Sequence, residues 1–169
     1  MFPPPSERAA PHLPDGQAPR GPIDSTSPVE PVGPTRLLTL AEALQLPRLA
    51  IGGGPKVGKE TLARRLTDRH LIHTDGFRDL HWEVQPQAII EACQEHERFC
   101  VFGVQVGRAL RKGLTVDVII WLQWAQVDDR TERQRSMAKG CRTIFDDYLT
   151  KVGPAAPPVL YPTLEDLRA

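Results

Sequence analysis

Seven consecutive residues, Gly53-Gly54-Pro55-Lys56-Val57-Gly58-Lys59, carry the spacing G-x-x-x-x-G-K, which suits a loop that wraps a chain of phosphates. Backbone N–H groups converge on an anion only where the chain takes conformations that a β-carbon resists, hence the glycines. A helix beginning at the end of the loop would add partial positive charge. Lys59 would reach the terminal phosphates as a mobile point charge. The eighth position normally supplies a hydroxyl to Mg²⁺, and here it is Glu60, with Thr61 one place later. A carboxylate at that point can ligate the metal itself, but beside a triphosphate it costs about 1 to 4 kcal/mol depending on the effective dielectric. The candidate ATP-binding residues are therefore Gly53, Gly54, Pro55, Lys56, Val57, Gly58, Lys59, Glu60 and Thr61. A glycine-rich turn that holds no ligand is the bland alternative.

Ligands of open parallel sheets bind beyond the carboxyl ends of the strands, so an acid that ends a strand faces the chemistry and one that begins a strand does not. Asp75 qualifies and Asp117 does not. With Glu60 and Thr61, Asp75 is a candidate Mg²⁺ ligand, and it is the candidate acceptor of the proton from an attacking hydroxyl. Its structural alternative is an N-cap for the turn at Gly76 and Phe77. Phosphoryl transfer also needs cations at the transferring group. Arg130, Arg133 and Arg135, at the polar start of a long helix, could provide them from a lid, with Lys139 and Arg142 further along. Interleaved Asp128, Asp129 and Glu132 make a solvated face of ion pairs an equal alternative. Arg108 and Arg111, at i and i+3, are candidates to grip an acceptor phosphate, or else a surface pair. Phe77, Trp82 and Trp124 could stack a base or simply join the core. His73 shares a strand face with Asp75, but a lone histidine is usually structural, and it receives no catalytic role.

The elements that must position these residues can be read from apolar spacing. Thr39 and Glu42 form a capping-box pair before a short helix stopped by Pro47. Arg48 to Ile51 reads as a buried strand running into the glycines, and Lys59 to Arg69 as the helix after them. A second strand spans Leu71 to Thr74. Gln85 to Glu97 is an amphipathic helix with Pro86 in its first turn, and Phe99 to Val106 a third strand. Arg108 to Lys112 is a helical turn closed by Gly113, and Val116 to Leu122 a fourth strand, apolar enough to be covered on both faces. Between Asp128 and Val152, Met137, Cys141, Ile144, Phe145, Tyr148 and Val152 form one helical stripe. Val159 to Tyr161 can add an edge strand. The alternation selects an α/β fold: a three-layer domain with a parallel sheet of about five strands and helices on both faces.

Ten of the seventeen prolines lie before Thr35, in a segment with no apolar period, so residues 1–35 read as a disordered proline-rich tail and residues 36–169 as the folded domain. The 169 residues hold one domain and a tail. The 21 basic and 21 acidic side chains cancel, which excludes a long-range field that gathers nucleic acid or anionic membrane. The longest apolar run, with Asp117 inside it, falls far short of the ~20 residues that cross a bilayer. Cys93, Cys100 and Cys141 stand singly without CxxC pairing, which points to a reducing, cytoplasmic setting.

The set GGGPKVGKET, HTDGF, VFGVQVGRALRKGL and VDVIIWL resembles small P-loop kinases of the nucleoside and nucleotide kinase type, phage enzymes in particular. The 5-hydroxymethyluracil DNA kinases, which phosphorylate a hydroxymethyl group on a base in phage DNA, are the nearest such reading, and they would place the protein in the host cytoplasm. The resemblance covers about Ala50 to Leu149. It implies a P-loop NTPase fold with ATP and Mg²⁺ as cofactors: Gly53, Gly58 and Lys59 on ATP, Asp75 as base or metal anchor, Arg108 and Arg111 toward the acceptor, and Arg130, Arg133 and Arg135 on the lid. The sequence departs from that pattern at Glu60 and at Gly103, where many such kinases carry an acid. The leading expectation is an ATP-dependent kinase acting on a hydroxyl of a nucleotide, nucleoside or modified base. A catalytically weakened nucleotide-binding module and an arginine-helix contact to DNA or RNA are the competing ones.

Overall fold

The computed structural model describes residues 37–123 and 129–168, so the proline-rich segment and Trp124 lie outside the described residues. The fold begins with α1 (Leu40–Ala43). Its start is set by Thr39, whose hydroxyl accepts the Glu42 amide at 3.2 Å while the Glu42 carboxylate accepts the Thr39 amide at 2.9 Å. This is the reciprocal cap that the spacing predicts. Then come β1 (Arg48–Gly53), α2 (Lys59–Ala63) and β2 (His70–His73), with a 3-10 turn over Thr74–Phe77. The alternation continues through α3 (Gln85–Gln94), β3 (Phe99–Phe102), α4 (Val106–Arg111) and β4 (Val118–Leu122). It closes with α5 (Glu132–Val152), β5 (Val159–Leu160) and α6 (Leu164–Arg168).

The five strands pair in parallel in the order β2-β3-β1-β4-β5. Because side chains alternate along a strand, each strand feeds two layers. Leu49, Ile51, Cys100, Phe102, Val118, Ile120 and Leu122 pack with Leu62, Ala63 and Leu167 on one face of the sheet. Ala50, Val101, Ile119 and Trp121 pack on the other with Ile89, Ala109 and Phe145. The result is the expected three-layer α/β domain with β1 at its centre, flanked by β3 and β4.

Two polar locks hold the sheet. Asp117 precedes β4 and accepts three bonds from Arg48 at the start of β1, from the amide at 2.9 Å, Nε at 3.0 Å and Nη2 at 2.5 Å. It therefore ties two strands together at their amino ends, away from the glycine loop. Arg69, whose side chain is 1% exposed, donates to the carbonyls of Leu44 and Leu46 at 2.6 and 2.5 Å and so fastens the end of α1 to the start of β2. Asp68 bridges Arg69 and Arg98, and these two partners pull its carboxyl down to about 2.

The elements depart from expectation mainly at their ends. The helix after the loop stops at Ala63 instead of Arg69, because the bonds from Arg65 to Leu62 and from Leu66 to Ala63 tighten it into a turn. β3 ends at Phe102 rather than Val106, since Gly103 leaves the extended region with φ of 140° and α4 begins at Val106. α3 stops at Gln94, not Glu97, and β4 starts at Val118, after the lock at Asp117. α5 begins at Glu132 rather than Asp128 because Thr131 caps it, in a second reciprocal pair with Gln134. Helix α6 has no counterpart in the expectation.

Candidate functional site

The loop between β1 and α2 lies at the carboxyl end of the central strand, where β3 pairs on one side and β4 on the other. Gly53, Lys56 and Gly58 have φ values of 137°, 58° and 90°. Left-handed turns at this spacing direct backbone N–H groups into a common concavity, the arrangement that binds anions. Gly53 has no room for a β-carbon against the Leu122 carbonyl, and one at Gly54 would stand 2.6 Å from Cβ of Ala138 on α5. At Lys56 the left-handed turn costs a non-glycine residue about 1 kcal/mol. Its ammonium group donates to Asp129, just before α5, at 2.8 Å.

Lys59 sits beneath the loop, 8% exposed, with Nζ donating to the carbonyl of Gly54. Burial lowers its pKa to about 8, against the upward pull of Cys141 and Asp75. An amine held there gains from any phosphate that enters the concavity. Glu60, expected to burden the triphosphate, is exposed and bonded to Arg64 at 2.5 Å, which offsets its charge. Thr61 is exposed at the cleft.

A cleft of about 720 Å³ opens over the loop and is shared with the carboxyl ends of β2 and β3. Asp75 lines it from the 3-10 turn. Asp75 lies inside that turn, whose N-cap position is held by His73, so Asp75 does not occupy the capping position. His73 Nε2 stands 3.5 Å from Asp75 Oδ2, and the His73 ring lies parallel to Phe102 at 4.7 Å. Gly103 also lines the cleft, and its φ of 140° and closeness to the buried Thr74 hydroxyl exclude an acid at this strand end.

The loop residues, Asp75 and Thr61 are brought together; the arginines are not. The α5 side chains that line the cleft are Gln134 and Met137, while Arg130, Arg133 and Arg135 are not among its lining residues. Arg142 pairs with Asp146 one turn away, as a solvated helical ion pair. Arg111 bonds Asp147 of α5 at 3.2 Å. Arg108 lies over the Trp82 ring at 4.9 Å and donates to the Trp82 carbonyl at 2.8 Å; burial, then the neighbouring Arg111, lowers its pKa. Neither residue lines the cleft, so an acceptor phosphate held by Arg108 and Arg111 finds no support in the geometry. Phe77 packs against the core and Trp82 is largely exposed. Sequence reasoning set His73 aside and counted Met137 as core, yet Met137 is 41% exposed and both line the cleft. The His-x-Asp spacing on one strand face was the signal available for His73.

A triphosphate fits this donor set: a concave backbone, the buried amine of Lys59 and the ammonium of Lys56. For the cation, no group of three or more His, Cys, Asp or Glu side chains converges among the described residues. Mg²⁺ would therefore rely on phosphate oxygens and water, with Asp75, Thr61 and Glu60, which all line the cleft, as the candidate protein ligands. None of the described helices is long and apolar enough to cross a membrane.

Sheet order and loop position are those of the P-loop NTPase fold. No protein-family model matches the chain, and no curated protein does. Among solved structures, the chain is similar to a shikimate kinase from Acinetobacter baumannii in complex with shikimate. The two share 13% identity at a TM-score of 0.46, over 73% of this chain and 88% of that one.

Proposed function

We propose that the protein transfers the terminal phosphoryl group of ATP, with Mg²⁺, to a hydroxyl of a nucleotide, nucleoside or modified base such as 5-hydroxymethyluracil in DNA. The observation that carries this reading is the buried Lys59 beneath a loop with left-handed turns at Gly53, Lys56 and Gly58, opening on the same cleft as Asp75. The loop amides and Lys56 hold the phosphates, and Lys59 turns from the Gly54 carbonyl to the transferring group. Asp75 takes the hydroxyl proton as the acceptor oxygen bonds to the γ-phosphorus; the bond to the bridging oxygen breaks, and its electron pair leaves with ADP. Mg²⁺, when bound, neutralises charge on the phosphate oxygens. The three unbridged cysteines suit a cytoplasmic setting.

The test is transfer of label from γ-labelled ATP to hydroxymethylated DNA, deoxynucleosides and deoxynucleotides. Lys59→Ala and Asp75→Asn are each expected to cut turnover by orders of magnitude with the fold intact. Unchanged turnover in either variant removes that residue from the mechanism.

Glu60 favours a second reading, a nucleotide-binding module with weakened catalysis. Glu60→Thr separates the two. A decayed enzyme regains metal-dependent affinity, whereas one tuned around the Glu60 and Arg64 pair gains nothing.

A further inference from the structure

The cleft walls differ in character. Its basic side chains among the described residues, His73 apart, are Lys56 and Lys59, both on the loop. The wall at the ends of β2 and β3 holds Asp75, His73, Phe102, Gly103 and Val104, and Met137 of α5 also lines the cleft. The arginines expected to face an acceptor are engaged elsewhere, Arg108 with Trp82 and Arg111 with Asp147. An acceptor carrying its own phosphate or carboxylate would meet Asp75 with no guanidinium among the described lining residues to receive it, and like charges at close range in a partly enclosed site repel.

What this wall does offer is a flat ring. One face of His73 is covered by Phe102, parallel within 6°, and Phe102 is itself buried in the sheet core. The His73 side chain remains 43% exposed, into the cleft, with its edge at Asp75. A ring backed by a second ring on a rigid strand is a stacking platform whose position is set before any ligand arrives.

We propose that the acceptor is neutral and planar rather than a phosphorylated molecule or a small acid, and that His73 selects it by stacking while Asp75 receives its hydroxyl. This rests on the phosphotransfer reading above and narrows it.

The test uses 5-hydroxymethyl-2′-deoxyuridine as the neutral planar probe, its 5′-monophosphate as the anionic one and glycerol as the non-planar one. Transfer from γ-labelled ATP is measured for each, and binding of ATP and of the nucleoside separately by calorimetry. The nucleoside is expected to exceed both other acceptors at least tenfold in kcat/KM. His73→Ala is expected to raise its KM roughly five- to hundredfold, the range for losing one aromatic stack, with ATP affinity unchanged. His73→Phe restores the affinity and His73→Leu does not, which a merely structural role for the residue would not produce. Preference for the monophosphate or glycerol, or an unchanged KM in His73→Ala, overturns the inference while leaving the kinase reading intact. Nucleoside binding that depends on His73 in a chain that fails to bind ATP upholds the stacking site and removes the kinase. Failure of both ligands to bind removes both.

Discussion

Ala138 of α5 lies against Gly54 of the glycine loop so closely that a β-carbon at position 54 would stand 2.6 Å from the Ala138 Cβ. The loop is thus shaped from above by a helix far along the chain as well as from below by its own glycines. Cys141, one turn on, is buried on the same side of the helix, and burial pushes its thiol up. The long helix therefore packs on the glycine loop through its second turn.

Gly54→Ala is expected to destabilise the domain by about 1 to 3 kcal/mol through overpacking, and to weaken triphosphate binding. Ala138→Gly in the same chain should recover part of both losses, because it removes the closer contact and leaves only the Ala138 Cα at 3.0 Å. Urea denaturation and calorimetry on the four members of the cycle measure the coupling, and simple additivity would show that the two residues do not compete.

The buried Lys59 makes stability depend on pH in a definite direction. Its amine titrates at about 8 in the fold against an ordinary 10.5, so between those values the unfolded chain holds the extra proton and folding strengthens as pH rises. Below pH 8 the full cost, about 3 kcal/mol, is present. Cys93 and Cys100, pushed up to about 12 by burial, act in the opposite sense above pH 9, so the comparison must be with a variant that keeps them. Relative to Lys59→Met, the wild-type chain should gain on the order of 3 kcal/mol between pH 8 and 10.5, read as converging denaturation midpoints. Parallel curves would mean that the amine is not buried.

Arg69→Met should cost about 2 to 4 kcal/mol, since it leaves the Leu44 and Leu46 carbonyls without their buried donor. Arg69→Lys keeps the charge but cannot reach two carbonyls from one planar fork, and should recover less than half of the loss. Thermal unfolding of the two variants provides the check.

Gly103→Asp, which installs the acid that this strand end lacks, should destabilise by about 2 to 4 kcal/mol and not raise activity. The residue has φ of 140°, and its β-carbon would run into the hydroxyl of the buried Thr74. Thr74→Ala in the same chain relieves the collision but not the backbone strain, so recovery should be partial. A melting temperature equal to wild type for Gly103→Asp would contradict the geometry.

Local chemistry made much of this protein legible before any fold was known. The strand-loop-helix around Gly53 to Lys59, the caps at Thr39 and the apolar runs of four strands depend on neighbours within a few residues, and the structure reproduces them. The exclusion of Asp117 from the cleft followed from strand polarity alone. Segment ends were less legible, because a glycine leaving the extended region after Phe102 or a cap at Thr131 competes with a pattern that runs past it.

What only the tertiary structure decided was which charged and aromatic side chains share a space. Arg108, Arg111 and the arginines of α5 have the right composition for gripping a phosphate. Yet partners 26 and 36 residues away in the chain engage Arg108 and Arg111, and sequence spacing carries no record of such pairings. His73 and Phe102 come together because β2 lies beside β3 in register, a relation set by the packing of the whole sheet. The sequence by itself determined that a glycine-rich loop would turn at the end of a buried strand, since backbone freedom and strand burial are local properties. The composition of the wall that holds His73 and Asp75 came from long-range contacts that no short window of residues encodes.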